Sequence, residues 1–408
     1  MIMPRLAQMR GPSFAYEDPH HGRNLLSCTS WATPDVRYRY DAWVTKQLTD
    51  GLVDCSSHAL KDKPRYYCFP IGCFHHPRDW AADAFDHVPA AVLQDARSGR
   101  ALLLFDQNQE GNADPKLWSW FYSSAAQHQI DPRQIIYMTS DHLAEKSHDS
   151  YCNLNGIDQQ IHVLSTLFNL HAITDMLRKR DVVPCGYDQW LAAKDPSTKL
   201  YNCLNRVLHP HRLWLFLKLF AQDLIAQGLV SMDSFTDVPN LPDGSSLDDS
   251  LIRRAQGLLP LVVDKSDFTE NHFNDLNPDI YLRSWFSVIT ETYVDDGQLL
   301  IGEKLFKPML CASPFMVLGS RGTLARLREL GFRTFPELWD ESYDSMDITC
   351  RIDAIVAQIT NVSKISDLRS WFAQAEPALR HNHALAWQLY SDSSDYQRLV
   401  AIWQDFVA

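Results

Sequence analysis

The hydrophobic pattern of this chain alternates short, continuous apolar runs with longer segments of helical spacing. In the first half, residues 101–106 are apolar up to a final acid, residues 117–128 have helical spacing, and residues 134–141 form a second apolar run with a polar end. Continuous apolar runs are typical of strands buried on both faces of a parallel sheet. The order strand, helix, strand therefore predicts a parallel α/β layer here.

The second half repeats the pattern. Residues 199–206 resemble a first strand, and an apolar helix is predicted over residues 213–227, ending at Gly228. Residues 286–290 and 315–318 are further apolar runs, and each precedes a segment of helical spacing. A second parallel α/β layer is expected.

Chain length and breaker residues indicate how these layers are divided. A chain of 408 residues is too long for one ordinary core. Residues 142–177 have apolar positions at helical spacing, and the Pro- and Gly-containing stretch 181–196 is typical of a linker. We predict an N-terminal domain at 1–192, a second domain at 193–365 and a C-terminal helical tail at 366–408.

Composition narrows the class of protein. Hydrophobic residues make up 45% and charged residues 22%, as in soluble globular proteins. No apolar run reaches the roughly 18–20 residues that span a bilayer, and the N-terminus lacks an apolar signal core, so a cytoplasmic location is expected. The nine cysteines include no CxxC pair, and a net charge of −12 argues against broad DNA binding, although a local basic groove is compatible with it.

Acids at strand ends are the candidates for a general base. Glu110 lies on the polar loop after the strand at 101–106, where a carboxylate can remove a proton from an acceptor hydroxyl. Asp106 and Asp141, at the ends of two strands, are alternatives. The competing interpretations are a solvent-exposed glutamate for Glu110 and capping of the following segment for the two aspartates.

Charged residues after the strands of the second half predict an anion site. Glu291 follows the strand at 286–290, and Glu303 with Lys304 opens the next helical segment. Free amides at a helix start favour anions, so this position suits a nucleotide diphosphate. Arg206 and Arg212, between the first strand and first helix, can clamp phosphate, although isolated arginines are more often surface ion-pair partners.

The order of six motifs resembles glycosyltransferase-like proteins of bacteriophages and bacterial polysaccharide clusters, and more distantly the α-1,3-fucosyltransferases. In those fucosyltransferases, an Asn followed by an Arg precedes a TEK element. The matching motifs here are NRVLHPHR (205–212), TET (290–292), GEKLFKP (302–308), PFMVLG (314–319), GTLARLRELGFRTF (322–335) and WDESYD (339–344). The resemblance covers roughly residues 199–360, and the motifs are informative only in their order.

This resemblance implies a GT-B fold, with two Rossmann-like domains, a nucleotide-sugar donor bound by the second and an acceptor by the first. It assigns the donor ribose to Glu303, the diphosphate to Lys304 and the phosphates to Arg212. The chain departs from the fucosyltransferase pattern at Gly302, where that family has Thr, and in the WDESYD element. That element either closes over the site or caps the helix predicted at 351–359.

The expected activity is transfer of a hexosyl or deoxyhexosyl group to an acceptor hydroxyl, with the nucleotide sugar as substrate and no cofactor. No convincing DxD motif follows a strand, so transfer without a metal is predicted, and cations must stabilise the leaving group. Asn205 and Glu291 complete the expected donor site, with these available cations: Lys304, Arg212, Arg206 and Lys307. The alternatives are a phage enzyme that glycosylates a hydroxymethylated DNA base in the host cytoplasm, and a non-catalytic scaffold.

Overall fold

The first half folds as a parallel α/β layer. The computed structural model describes residues 65–70, 83–85, 88, 90–108, 113–179, 181–205, 207–240, 244, 246–263, 275–294, 296–392 and 394–407. Strands and helices alternate here in the order β1 (Arg65–Pro70), α1 (Ala90–Arg97), β2 (Ala101–Gln107), α2 (Pro115–His128), β3 (Ile135–Thr139), α3 (Ala144–Asn155) and β4 (His162–Ser165). Within the described residues, β1, β2, β3 and β4 form one parallel sheet in chain order.

The second half forms another such layer. Its elements are α4 (Phe168–Lys179), α5 (Tyr187–Ala192), β5 (Lys199–Asn205), α6 (Pro210–Ala221), β6 (Gly228–Met232), α7 (Asp249–Gln256), α8 (Pro278–Leu282), β7 (Ser284–Thr290), α9 (Glu303–Leu310), β8 (Phe315–Leu318), α10 (Thr323–Glu329), α11 (Ile348–Val362), α12 (Leu368–Ala373) and α13 (Glu376–Asp392). In the described chain, the parallel strands of this sheet lie in the order β6, β5, β7, β8. Helix α14 (Ser394–Val407) completes the described chain.

These sheets confirm the predicted α/β fold with two Rossmann-like layers and a helical C-terminal tail. The predicted strands at 101–106, 134–141, 199–206, 286–290 and 315–318 all exist within one or two residues of their predicted bounds. Two strands were missed. β4 lies inside the segment predicted to be helical at 142–177, and β6 begins at Gly228, where the predicted helix was to end.

The chain divides into two compact units that differ from the predicted domains in their bounds. One unit comprises residues 1–168 with 391–408, and the other comprises residues 169–390. Helices α4 and α5, in the segment predicted to lie before the boundary at 192, group with the second unit. The functional domain bounds at 192 and 365 stay predictions. The contacts assign α14 to the first unit.

Each unit has an aromatic core. In the first unit, Trp118 of α2 packs edge-on against Tyr137 of β3 at 5.6 Å between ring centroids. In the second, Trp285 of β7 stacks on Phe372 of α12 at 5.5 Å, and Trp190 of α5 packs edge-on against Trp285. The C-terminal helices therefore cover strands that precede them by many residues. Among the described helices, none is both long and apolar enough to cross a bilayer.

Candidate functional site

The strand order of the second sheet reverses between β5 and β7. β6 lies on one side of β5, and β7 with β8 lies on the other. In open parallel sheets, ligands bind outside the carboxyl ends of the strands at such a switch point. β5 ends at Asn205 and β7 ends at Thr290, whose hydroxyl donates a hydrogen bond to Asn205 Oδ1 across the two strands. The predicted Asn205 thus joins the two strand ends at the switch point.

Glu291 is the residue directly after β7, and it is completely buried. Its Oε1 accepts a hydrogen bond from the backbone N–H of Gly302 at 3.0 Å. Its Oε2 is buried and has no hydrogen-bond partner among the described residues. Burial raises the pKa of Glu291 to about 7, because desolvation disfavours the charged form more than Lys304 favours it. This carboxyl therefore carries a proton in a substantial fraction of molecules at neutral pH.

Glu303 and Lys304 lie at the amino end of α9, as predicted. Lys304 Nζ donates to Glu303 Oε1 at 2.8 Å, and the two side chains are 26% and 14% exposed, respectively. Burial acts to raise the pKa of Glu303, but Lys304 and Lys307 outweigh it and the pKa lies below its ordinary value. Glu303 is therefore ionised near neutral pH and partly open to solvent. The backbone N–H groups at the start of α9 lie beside it, and that of Glu303 itself donates to this carboxylate.

Arg212 lies at the start of α6, where 4% of its surface is exposed. Its Nη1 donates to the carbonyl of Val207 at 3.0 Å, and its Nη2 donates to the carbonyls of Thr290 and Glu291, both at 3.3 Å. The guanidinium is thus held beneath the ends of β5 and β7. Arg212 therefore contributes a fixed positive charge to the switch point, but its Nη donors are already bound to backbone carbonyls.

Two histidines, His209 and His211, lie just before Arg212 in the chain. His211 Nε2 donates to the carbonyl of Glu291 at 2.9 Å, and its ring stacks with that of His209 at 5.6 Å. Burial lowers the pKa of His209 to about 4 and that of His211 to about 3, and the charge of Arg212 acts in the same direction. Both rings are therefore neutral at physiological pH.

Neither these histidines nor the contact of Gly302 with Glu291 was predicted from the sequence. The HPH triplet that opens an apolar helix was the available signal for the histidines, because Pro210 fixes the first helical position. The contact of Gly302 with Glu291 had no signal in local sequence. Of the other predicted cations, Lys307 also lies on α9, and Arg206 lies outside the described residues.

Three residues of the WDESYD element, Trp339, Tyr343 and Asp344, are buried in the second unit. The carboxylate of Asp344 accepts hydrogen bonds from the backbone N–H groups of Leu324 and Ala325, at 2.9 and 3.1 Å. Tyr343 is 1% exposed, and its hydroxyl accepts a hydrogen bond from the N–H of Val317 in β8. The element therefore caps α10. The predicted cap on the helix at 351–359 was wrong, because Asp347 caps α11, and closure of the element over the site stays a prediction.

The acids proposed as bases lie in the first unit. Glu110 is outside the described residues, and for Asp106 the structure describes only the backbone, at the end of β2. Asp141 is 1% exposed, and its Oδ1 accepts a hydrogen bond from the N–H of Leu143 at 2.9 Å. This bond closes a turn before α3, whose N-cap is Leu143 without a side-chain cap, so the capping alternative is not met in its usual form.

Acidic and basic side chains lie together at the switch point, and some of them are buried while others are partly exposed. Glu303 is ionised, Glu291 has a raised pKa, and positive charge comes from Lys304, Lys307 and Arg212. A carboxylate and an ammonium at a helix start can bind hydroxyls and phosphate oxygens together. Among the described residues, no group of three or more His, Cys, Asp or Glu side chains is arranged to hold a metal ion.

Comparisons with known proteins found similarity only at the level of structure. No protein-family model matches the chain, and no curated protein matches it. Among solved structures, it is similar to a UDP-forming α,α-trehalose-phosphate synthase from Burkholderia vietnamiensis (11% identity, 92% of this chain and 78% of that one, TM-score 0.40). It is similar to UDP-GlcNAc 2-epimerase from Neisseria meningitidis bound to UDP-GlcNAc (10%, 90% and 90%, 0.37) and to the calicheamicin glycosyltransferase (12%, 93% and 92%, 0.31). A likeness this distant says nothing of activity, which has to be argued from the site itself.

Proposed function

We propose that the protein is a glycosyltransferase of GT-B type that takes its sugar from a nucleotide-sugar donor bound by the second unit. The observation that carries this proposal is the Glu303–Lys304 pair at the amino end of α9, beside the switch point between β5 and β7. A nucleoside diphosphate has two ribose hydroxyls and a charged diphosphate, and this pair offers one group for each.

Each role follows from charge and exposure. Glu303, ionised and 14% exposed, accepts hydrogen bonds from the ribose hydroxyls. Lys304 and the N–H groups that begin α9 bind the diphosphate. Arg212 contributes its charge from below, and Lys307 contributes a further charge on the same helix. Preorganised positive charge of this kind stabilises a departing nucleoside diphosphate, so transfer proceeds without a metal.

The acceptor is assigned to the first unit. Glu110 is the proposed general base because it follows β2 closely in sequence, and Asp106, among the last residues of β2, is the alternative. Asp141 is the least suited of the three, since one of its carboxylate oxygens is bound by the N–H of Leu143. The acceptor group is a hydroxyl of a glycan or, as the alternative, of a hydroxymethylated nucleobase. The net charge of −12 favours the glycan.

A ligand screen tests the donor site. Melting temperature would be measured with UDP, GDP, CMP, ADP and dTDP at millimolar concentration, for the wild type, Lys304→Ala and Lys218→Ala. Lys218 forms an ion pair with Asp353 on the exposed side of α6 and serves as the matched control. We expect one nucleotide to raise the melting temperature of the wild type and of Lys218→Ala. A ligand that binds only the folded state must stabilise it.

The same ligand should leave Lys304→Ala unshifted or shifted far less, because the diphosphate loses its nearest exposed ammonium. If no nucleotide shifts the wild type, the donor assignment is wrong and the scaffold alternative gains support. If Lys304→Ala responds as fully as Lys218→Ala, the nucleotide binds elsewhere.

A further inference from the structure

One buried residue, Glu291, contacts each of the loops that meet at the switch point. The main-chain carbonyl of Glu291 accepts hydrogen bonds from His211 at 2.9 Å and from Arg212 at 3.3 Å, both on α6. Its side-chain Oε1 binds the N–H of Gly302, directly before α9. Its Cγ lies 3.4 Å from the position that a Cβ on Gly319 would take. The starts of α6 and α9 and the loop after β8 all contact this residue.

Gly302 is a glycine because of the space that Glu291 occupies. Its φ of −79° and ψ of 172° are accessible to any L-residue, so its backbone conformation does not require glycine. A Cβ built at this position would lie 2.4 Å from Oε2 of Glu291 and 3.1 Å from its carboxyl carbon. Real Cβ atoms do not approach so closely. A side chain at 302 would therefore force either the buried carboxyl of Glu291 or the start of α9 to shift.

We propose that Glu291 is a positioning residue for the donor site: by binding and packing against Gly302, it fixes the start of α9 and so the place of the Glu303–Lys304 pair. This inference rests on the proposed function. It revises the sequence prediction that Glu291 itself contacts the donor.

The burial of Glu291 indicates that it acts on the donor site indirectly, without contacting the ligand. Glu291 has no exposed surface, and its Oε2 lies against Gly302, whereas Glu303 and Lys304 are partly exposed. The charged and titratable groups facing its carboxyl are Lys304 and Glu303 from α9, and Arg212 from α6. Because Oε2 has no partner within the described structure, a neutral side chain of the same shape should serve as well as the acid.

A double-mutant cycle separates this role from direct contact. Affinity for UDP and for GDP would be measured by calorimetry in the wild type, Gly302→Ala, Glu291→Ala and the double variant. We expect Gly302→Ala to weaken binding at least about tenfold, since the methyl group displaces the start of α9. In the Glu291→Ala background, the same methyl group fits, so adding Gly302→Ala should change affinity by less than about threefold.

Conservative replacement gives a second readout. Gln at position 291 can still accept the hydrogen bond from Gly302 and fill the same space, so Glu291→Gln should bind nucleotide within about threefold of the wild type, whereas Glu291→Ala should not. Additive effects in the cycle, or a Glu291→Gln loss as large as that of Glu291→Ala, would show that the carboxyl contacts the donor and would overturn the proposal.

A matched control excludes general damage from an added methyl group. A Cβ at Gly228 would lie 2.6 Å from the ring of Tyr201, a comparable clash in the same unit. Gly228, however, begins β6, whereas Glu291 follows the carboxyl end of β7, at the other end of the parallel strands. Gly228→Ala should lower the melting temperature and leave nucleotide affinity unchanged. A fall in affinity equal to that of Gly302→Ala would count against a specific role for the contact between Glu291 and Gly302.

Hydrogen exchange tests the positioning independently of any nucleotide. In Glu291→Ala, the amide of Gly302 and those of α9 should exchange at least about tenfold faster than in the wild type, while the amides of α11 keep their rates. If wild-type protein binds neither UDP nor GDP, the exchange result alone decides this inference, and the proposed function fails separately. Unchanged exchange at Gly302 would overturn the positioning role even if nucleotides bind.

Discussion

At the residue scale, two glutamates a short distance apart in the chain are in opposite states. The pKa of Glu303 lies below its ordinary value because two lysines outweigh its burial, and the pKa of Glu291 is raised to about 7 because burial prevails. Neighbouring acids whose pKa values are driven apart commonly serve different purposes. In the proposed site, the ionised acid contacts the donor and the buried one positions the start of α9.

The raised pKa of Glu291 predicts a pH-dependent stability that Glu291→Gln should remove. Folded protein holds this proton up to about pH 7, whereas the unfolded chain releases it near pH 4.5. The stabilisation is complete below pH 4.5 and is lost as pH rises to 7, by about 3 kcal/mol. Urea unfolding of both proteins from pH 4.5 to 8 measures it. Parallel pH profiles for the two proteins would contradict the buried, protonated carboxyl.

Sequence alone placed the Glu303–Lys304 pair at the start of a helix but did not predict the buried contact behind it. Glu303 and Lys304 were placed at a helix start because an apolar strand, a polar turn and a helical segment follow one another there. The contact between Glu291 and Gly302 depends on how β7, the following turn and α9 pack together. The spacing of hydrophobic residues within one segment does not predict such packing. Arg212 was expected to be open to phosphate, yet its guanidinium binds backbone carbonyls.

At the element scale, Lys194 stabilises the end of α8. Its ammonium donates to the carbonyls of Tyr281, Leu282 and Ser284 at 2.9, 2.9 and 2.6 Å, and it lies over the ring of Trp190 at 4.4 Å. These bonds supply a donor to carbonyls at the end of α8 and the start of β7.

Replacement of Lys194 by Met should therefore destabilise the second unit. Met keeps the apolar stem but removes the ammonium that donates to three carbonyl oxygens. Because burial lowers the pKa of Lys194 to about 7 and so offsets part of the gain, we expect a net loss of about 2 kcal/mol in the free energy of unfolding. Lys218→Met, which removes a surface ion pair, should cost less than about 1 kcal/mol in the same urea titration. Equal losses would refute the assignment.

The elements that sequence missed are short strands. In the segment that contains β4, Ile161, Leu164, Leu167 and Phe168 recur at helical spacing, and a strand of four residues shows too few positions to reveal its own period. β6 has five residues and directly follows a helix and a short turn of the same apolar character. In both cases the neighbouring strand determines the structure, and that neighbour is distant in sequence.

At the scale of the whole molecule, the proposed reaction predicts that removal of metal ions by a chelator leaves turnover unchanged. Protein cations at the switch point are expected to stabilise the leaving nucleoside diphosphate, so dialysis against EDTA should leave turnover within about twofold of its initial value. The assay would follow release of the nucleoside diphosphate before and after chelation, with Mn²⁺ or Mg²⁺ added back. Loss of turnover on chelation and its recovery with metal would count against this mechanism.

The assignment of α14 to the first unit has a consequence for synthesis of the chain. Arg398 of α14 forms an ion pair with Glu145 of α3 at 2.7 Å, although the whole second unit lies between them in sequence. On a ribosome, residues 169–390 are available to fold before residues 391–408 emerge. The unit begun first is therefore completed last, and until then it exposes the surface that α14 covers. A nascent chain released at residue 390 would be left with a finished second unit and an unfinished first one, the form that chaperones and proteases recognise.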